Sequence, residues 1–155
     1  MPADLRDELK QKKPFSTLEE EASLNILRTN VVLEDSMEQL LKPHGITPTQ
    51  YNVLRILRGA GTAGLCRNEV RDRLLTRMPD ATRLLDRMEE AGLVTRSRDG
   101  DDRRLVATRL TAEGRRLVNA LDDDVVQEHQ RRLGHLTTPQ LRTLIDLLEH
   151  ARSPP

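Results

Sequence analysis

Residues 82–111 read TRLLDRMEEAGLVTRSRDGDDRRLVATRLT, and the hydrophobic period changes once inside that stretch. In its first part Leu84, Leu85 and Met88 recur at helical spacing. Arg83 and Arg87, four apart, share another face of the same helix. Gly92 suits a helix C-terminus. From Leu93 the pattern Leu93-Val94-Thr95-Arg96-Ser97-Arg98 alternates roughly, as a half-buried strand does. Asp99-Gly100-Asp101-Asp102 is turn chemistry, and Arg103 to Leu110 reads as the return strand. A short helix thus runs directly into a β-hairpin with an arginine-rich tip.

Working back towards the N-terminus, Met78-Pro79-Asp80 opens this helix, with proline in the first turn and an acid near the positive end of the dipole. A preceding helix spans about Leu65 to Leu75 and buries Leu65, Val70 and Leu74. Before it, Thr47-Pro48-Thr49-Gln50 is a cap, a first-turn proline and a box-closing glutamine, and Tyr51, Val53, Leu54 and Leu57 form the inner face that follows. Thr17-Leu18-Glu19-Glu20 matches a capping box for a helix from Leu18 to Leu41. Its apolar residues (Leu24, Ile26, Leu27, Val31, Val32, Leu33, Met37 and Leu41) make a stripe too broad for one buried face. That breadth predicts burial on two sides, one of them by another subunit. Residues 1–15 read as a loose arm or a short helix.

Downstream, Thr111 caps a helix to about Leu133 with Leu117, Leu121 and Val125 on one stripe. After Thr137-Thr138-Pro139 a last helix carries Leu141, Leu144, Ile145, Leu147 and Leu148, again more apolar surface than a short terminal helix uses alone. The fold class is mainly α with a small β-hairpin wing. Helix, helix, helix, hairpin is the order of a winged helix-turn-helix. In that fold the last helix before the hairpin enters a major groove and the hairpin reaches sideways to backbone or minor groove.

The 155 residues suit one domain. Lys+Arg and Asp+Glu are 25 each, so the net charge is zero, which counts against strong non-specific DNA binding but leaves room for a locally basic face. Beyond Lys42 every basic residue except histidine is arginine, the better residue for bidentate base contacts. No apolar run approaches the ~18 residues of a membrane span. The polar N-terminus does not resemble a secretory signal, and a single cysteine suits a reducing cytoplasm.

Asp102-Arg103-Arg104 through Leu110-Thr111 matches the pattern D-x-R-x(5)-L-T. With the helix from Thr82 and with Ala112-Glu113-Gly114, it resembles the MarR family of bacterial transcriptional regulators over residues 47–114. The resemblance implies an intertwined homodimer, with residues 16–42 and 112–151 as dimerisation helices and 47–111 as the DNA-binding lobe. It implies a pseudo-palindromic double-stranded operator, and release from it by a small-molecule effector of unknown identity or by oxidation. No cofactor and no membrane partner are implied.

Arg104 matches the wing arginine that reaches the minor groove, with Arg103 beside it. Asp102 either orients that arginine or pins the turn. Met78, Pro79, Asp80 and Thr82 sit at the groove-facing turn, and Arg77 just before it is placed for phosphate. Arg83 and Arg87 either touch bases or phosphates, or pair with Asp80 or Asp86. Arg96 and Arg98 are candidates for phosphate or for plain surface charge. Cys66, beside Arg67 near a helix start, is either a redox switch or a small packed residue. His44, His129, His135 and His150 show no metal-ligand spacing. No P-loop, Gly-rich dinucleotide turn, nucleophile elbow or zinc-protease motif marks an enzyme. The competing function class is a winged-helix adaptor that binds protein and has no operator.

Overall fold

The computed structural model describes residues 4–98 and 105–153. Helix α1 is a single turn, Leu5–Glu8, inside the arm. Helix α2 (Leu18–Leu41) begins and ends where the cap and Pro43 predict. The Thr17 hydroxyl accepts the Glu20 amide at 3.1 Å, but the Glu20 carboxylate reaches one residue further back, to the Ser16 amide at 2.7 Å. Helix α3 (Pro48–Ala60) carries the full reciprocal box between Thr47 and Gln50. Such caps are each worth about 1 kcal/mol.

Two expectations fail at residues 65–81. The helix foreseen over Leu65 to Leu75 is only α4 (Arg67–Arg73), because Leu65–Cys66 forms a short strand β1. Strand β2 (Val94–Arg98) and β3 (Val106–Leu110) are the foreseen hairpin, and β1 adds to the far side of β3 in the order β1-β3-β2, all antiparallel. Leu65 pairs with Thr108 and Cys66 with Ala107. Gly64 makes this third strand possible. Its φ is +68°, and a Cβ there would lie 2.6 Å from the Thr108 carbonyl oxygen, so only glycine enters β1 at this closeness. Secondly, the helix foreseen from Met78 starts later, as α5 (Thr82–Glu90). The Asp80 carboxylate accepts from the Thr82 amide at 3.0 Å and from its hydroxyl at 2.7 Å, a local turn that competes with continued helix.

Helix α6 (Ala112–Leu133) and helix α7 (Thr138–Arg152) complete the chain. The inward stripe of α6 is Gly114, Val118, Leu121 and Val125, with Leu117 only half-buried. The core is built from Leu41 of α2, Val53, Leu54 and Leu57 of α3, Val70 of α4, Leu85 and Met88 of α5, and Leu121 of α6. Each large aliphatic side chain so buried contributes about 1.5–3 kcal/mol. Arg58 of α3 adds a two-point ion pair with Asp122 of α6, at 2.8 Å through each nitrogen.

The start of α6 is fused to the end of α5. The Thr111 amide donates to the Leu93 carbonyl at 3.1 Å, and the Thr111 hydroxyl donates to the Gly92 carbonyl at 2.6 Å. Gly114 then packs directly on the Leu93 carbonyl oxygen, and a Cβ on Gly114 would overlap it and meet Leu110 at 3.3 Å. Alanine is the better helix former by about 1 kcal/mol, yet the atom it strikes is main chain and cannot swing aside. Gly114→Ala is therefore expected to destabilise the fold, by about 1–3 kcal/mol, read as a lower urea midpoint at unchanged slope.

Further along α6, Arg131 above all, and then Arg132 and the Ser36 hydroxyl of α2, hold the Glu128 carboxyl at about 2, well below its ordinary 4.5. Asp122 is lowered too, chiefly by its hydrogen bonds from Arg58. A lowered carboxyl pKa gives stability that is complete above the unfolded value and is lost as pH falls through the folded one. Unfolding midpoints should thus hold from neutrality to about pH 5 and fall between there and about pH 2. Glu128→Gln should flatten that fall.

No helix among the described residues is long and apolar enough to cross a membrane. Helix α7 buries no residue at all, and it carries Leu144, Ile145 and Leu147 in the open. Helix α2 likewise exposes Ile26, Leu27, Val31 and Val32.

Candidate nucleic-acid interface

Helix α5 is strongly two-faced. Leu85 and Met88 are fully buried against the lobe, which turns Arg83 and Arg87 outward. Among the described residues neither arginine makes an ion pair, and neither do Arg77, ahead of α5, or Arg98, at the end of β2. The acids that were candidate partners are engaged elsewhere. Asp80 is held by Thr82, and Asp86 by Arg96 at 2.6 Å. The neutral chain therefore neutralises many of its body cations internally, as in Arg58–Asp122 and Arg131–Glu128, while on the outward face of α5 Arg83 and Arg87, with the exposed Glu90 beside them, have no ion pair among the described residues. A face of this kind suits a phosphate backbone.

The entrance to α5 is fastened by a residue that sequence reasoning did not single out for it. Arg67, at the start of α4, donates to the Thr82 hydroxyl at 3.0 Å. Thr82 in turn donates to Asp80. These hydrogen bonds, the hydroxyl first, keep the Asp80 carboxyl below its ordinary range. Asp80 and Thr82, expected to face DNA, thus first serve to fix the α4–α5 turn. Met78 is half-buried and Pro79 exposed on that turn. No local pattern pointed from Arg67 to a partner 15 residues away.

Arg96, a candidate for phosphate or for plain surface charge, is engaged within the chain: its guanidinium lies 2.6 Å from Asp86 and 2.9 Å from Glu89, and its amide donates to Glu89 at 3.0 Å. The hydrogen bonds from Arg96 hold the Glu89 carboxyl below its ordinary range. Asp102, Arg103 and Arg104 lie outside the described residues. Cys66 caps α4, with its amide donating to the Glu69 carboxylate at 2.8 Å and its sulfur facing the Glu69 amide. Capping and strand pairing account for a half-buried thiol at this position. Among the described residues no group of three His, Cys, Asp or Glu side chains is placed to hold a metal ion.

Beside the interface lies a cavity of about 590 Å³ between α2, α3 and the α4–α5 turn. Leu33 and Met37 give it an apolar wall, and Asn30, Asn52 and Arg55, together with the acids Glu34 and Glu38, give it a polar one. Tyr51 and His129 also line it, and burial pushes the Tyr51 hydroxyl pKa up. Leu75 stands exposed at its rim, its amide donating to the Asn52 side chain at 2.9 Å.

Helices α3, α4 and α5 followed by the β2–β3 hairpin, with β1 between α3 and α4 completing the small antiparallel sheet and α5 presenting arginines, define a winged helix-turn-helix protein. The MarR family model matches residues 44–105. The crystal structure of a MarR transcription factor from Planctomyces limnophilus is 38% identical, with a TM-score of 0.67 over 88% of this chain and 98% of that one. The transcriptional regulator FarR of Neisseria gonorrhoeae is 28% identical over 134 residues, 85% of this chain and 90% of its own. The MepR–DNA complex of S. aureus shares the fold at 24% identity, with a TM-score of 0.77 over 84% of this chain and 96% of that one. The chain belongs to the MarR family. It is a DNA-binding transcriptional regulator, not an enzyme.

Proposed function

We propose that this regulator acts as a homodimer in the cytoplasm, represses transcription from a pseudo-palindromic duplex operator, and leaves it when a small molecule binds. The observation that carries the reading is the outward row of Arg83 and Arg87 on α5, free of ion pairs among the described residues while Asp80 and Asp86 are taken up by other groups. Arg77 and Arg98 flank that row, and the wing residues Asp102, Arg103 and Arg104 follow in sequence. The open apolar faces of α2 and α7 support a second copy of the chain as partner. A twofold dimer places two recognition helices about one helical turn apart, ~34 Å. The cavity beside Asn52 and Arg55 suits the effector, with an apolar wall for its body and a polar lining of amides, one cation and the carboxylates of Glu34 and Glu38 for its polar end. An effector shifts the helix spacing only through different affinity for the two spacings.

The test is fluorescence anisotropy of the purified protein on duplex from upstream of its own gene and on scrambled duplex, across a salt series. Selective binding, with log affinity falling by about 0.9 per phosphate contact against log salt, is the expected result. Equal weak binding to that duplex, to scrambled DNA and to every sequence offered in a random pool would favour a protein-binding adaptor instead.

A further inference from the structure

Two carboxylates stand on the flank of a helix whose outer face is offered to phosphates. Asp86 and Glu89 of α5 lie between the buried side, Leu85 and Met88, and the outward side, Arg83 and Arg87. Left alone they repel DNA. Both converge on Arg96 of β2. Its Nη2 is 2.6 Å from Asp86 Oδ1 and 2.9 Å from Glu89 Oε1, and its main-chain amide donates to Glu89 Oε2 at 3.0 Å. Glu89 thus grips one residue at both its side chain and its backbone. The covalent link between α5 and β2 is only residues 91–93, with Gly92 at φ +75°. That link sets where the strand starts and leaves its roll about α5 to other contacts. The ion-pair cluster supplies a contact that fixes the roll, one residue pair before Arg98 and the wing.

We propose that Arg96 is a positioning residue for DNA reading: through Asp86 and Glu89 it clamps the wing to the recognition helix, so that both meet the duplex as one rigid unit. The proposal rests on the DNA-binding reading above. It explains why Asp86 and Glu89 are tolerated beside a face offered to phosphates, and why Arg96 differs from Arg98 two residues on, which has no ion pair among the described residues.

The clamp and a phosphate contact predict opposite signs. Glu89→Gln removes a negative charge near DNA. If Arg96 serves phosphate, that change strengthens binding to every duplex, and Arg96→Ala weakens all duplexes alike with a shallower salt slope. If Arg96 is a clamp, Glu89→Gln weakens operator binding, by about tenfold for one lost charge-assisted hydrogen bond, while binding to scrambled duplex holds or tightens. Arg96→Lys keeps the charge but loses the fork that spans two carboxylates, so it falls between wild type and Arg96→Ala. The experiment uses the full chain and the duplex that wild-type protein enriches from a random pool, with anisotropy on that duplex and on scrambled DNA. Far-UV circular dichroism checks that each variant is folded, and Glu89→Gln carries the test should Arg96→Ala not fold. Loss of discrimination in Glu89→Gln, partly kept in Arg96→Lys, is the expected result. Wild-type discrimination retained in a folded Glu89→Gln, or tighter binding to operator and scrambled duplex together, overturns the clamp. If wild-type protein enriches no sequence, the underlying DNA reading fails before any variant is compared.

Discussion

Ile145→Asp on α7 is expected to leave the DNA-binding lobe folded, to turn the dimer into monomer, and to lower operator affinity by about 10²–10⁴. The lobe survives because α7 buries no residue within its own chain, so nothing in the core of α2, α3, α5 and α6 depends on Ile145. The proposed dimer does not survive because Ile145 is 55% exposed on the chain alone and sits among Leu144 and Leu147, the surface assigned to the second copy. A carboxylate there would have to be desolvated without a counter-charge, which costs several kcal/mol. Operator affinity falls because one recognition helix loses the high local concentration that the second supplies. Light scattering gives the mass, circular dichroism the fold, and anisotropy the affinity. A variant that stays dimeric, or a wild-type protein that is monomeric at micromolar concentration, contradicts the proposed assembly.

Removing the outward arginines of α5 is the second large effect. Arg83→Ala and Arg87→Ala take away charges with no internal ion-pair partner among the described residues, so stability should hardly change while DNA binding drops. The form of the drop identifies the contact. An arginine that reads a base costs about 1–3 kcal/mol of discrimination at one operator position. An arginine on phosphate weakens all sequences alike and reduces the salt slope by about one. Competition with single-base operator variants separates the two. Full operator affinity in both variants would mean that α5 does not enter the groove.

The long elements were legible because each carries several agreeing signals. Thr17, Thr47, Thr111 and Thr137 all stand at caps, and α2 and α6 both run from a capping threonine to the break that Pro43 or Gly134 supplies. Strand β1 was not legible, because two residues have no periodicity of their own. Leu65–Cys66 is extended through pairing with Ala107 and Thr108, some forty residues away in the chain. The start of α5 was misplaced for a local reason, since Pro79 and Asp80 are good first-turn residues for a helix that the Asp80–Thr82 turn then delays. At the interface, exposure of Arg83 and Arg87 followed from the spacing of Leu85 and Met88. The different fates of Arg96 and Arg98 did not, because both are arginines at alternate positions of one strand. Only the placement of Asp86 and Glu89 across from them distinguishes the two.

The junction of Leu93, Thr111 and Gly114 has a mechanical meaning. It leaves no slack where α6 meets the end of the recognition helix, since a side-chain hydrogen bond, a main-chain hydrogen bond and a bare glycine contact all fall within one turn. With 22 residues, α6 is a lever about 33 Å long, welded at one end. A tilt of about 5° in that lever displaces its ends relative to each other by about 3 Å, roughly the separation of adjacent base pairs along the duplex. A rotation of α6 would thus be passed to the end of α5 without loss in a flexible joint, and in the proposed dimer it would alter the register of the two recognition helices on DNA.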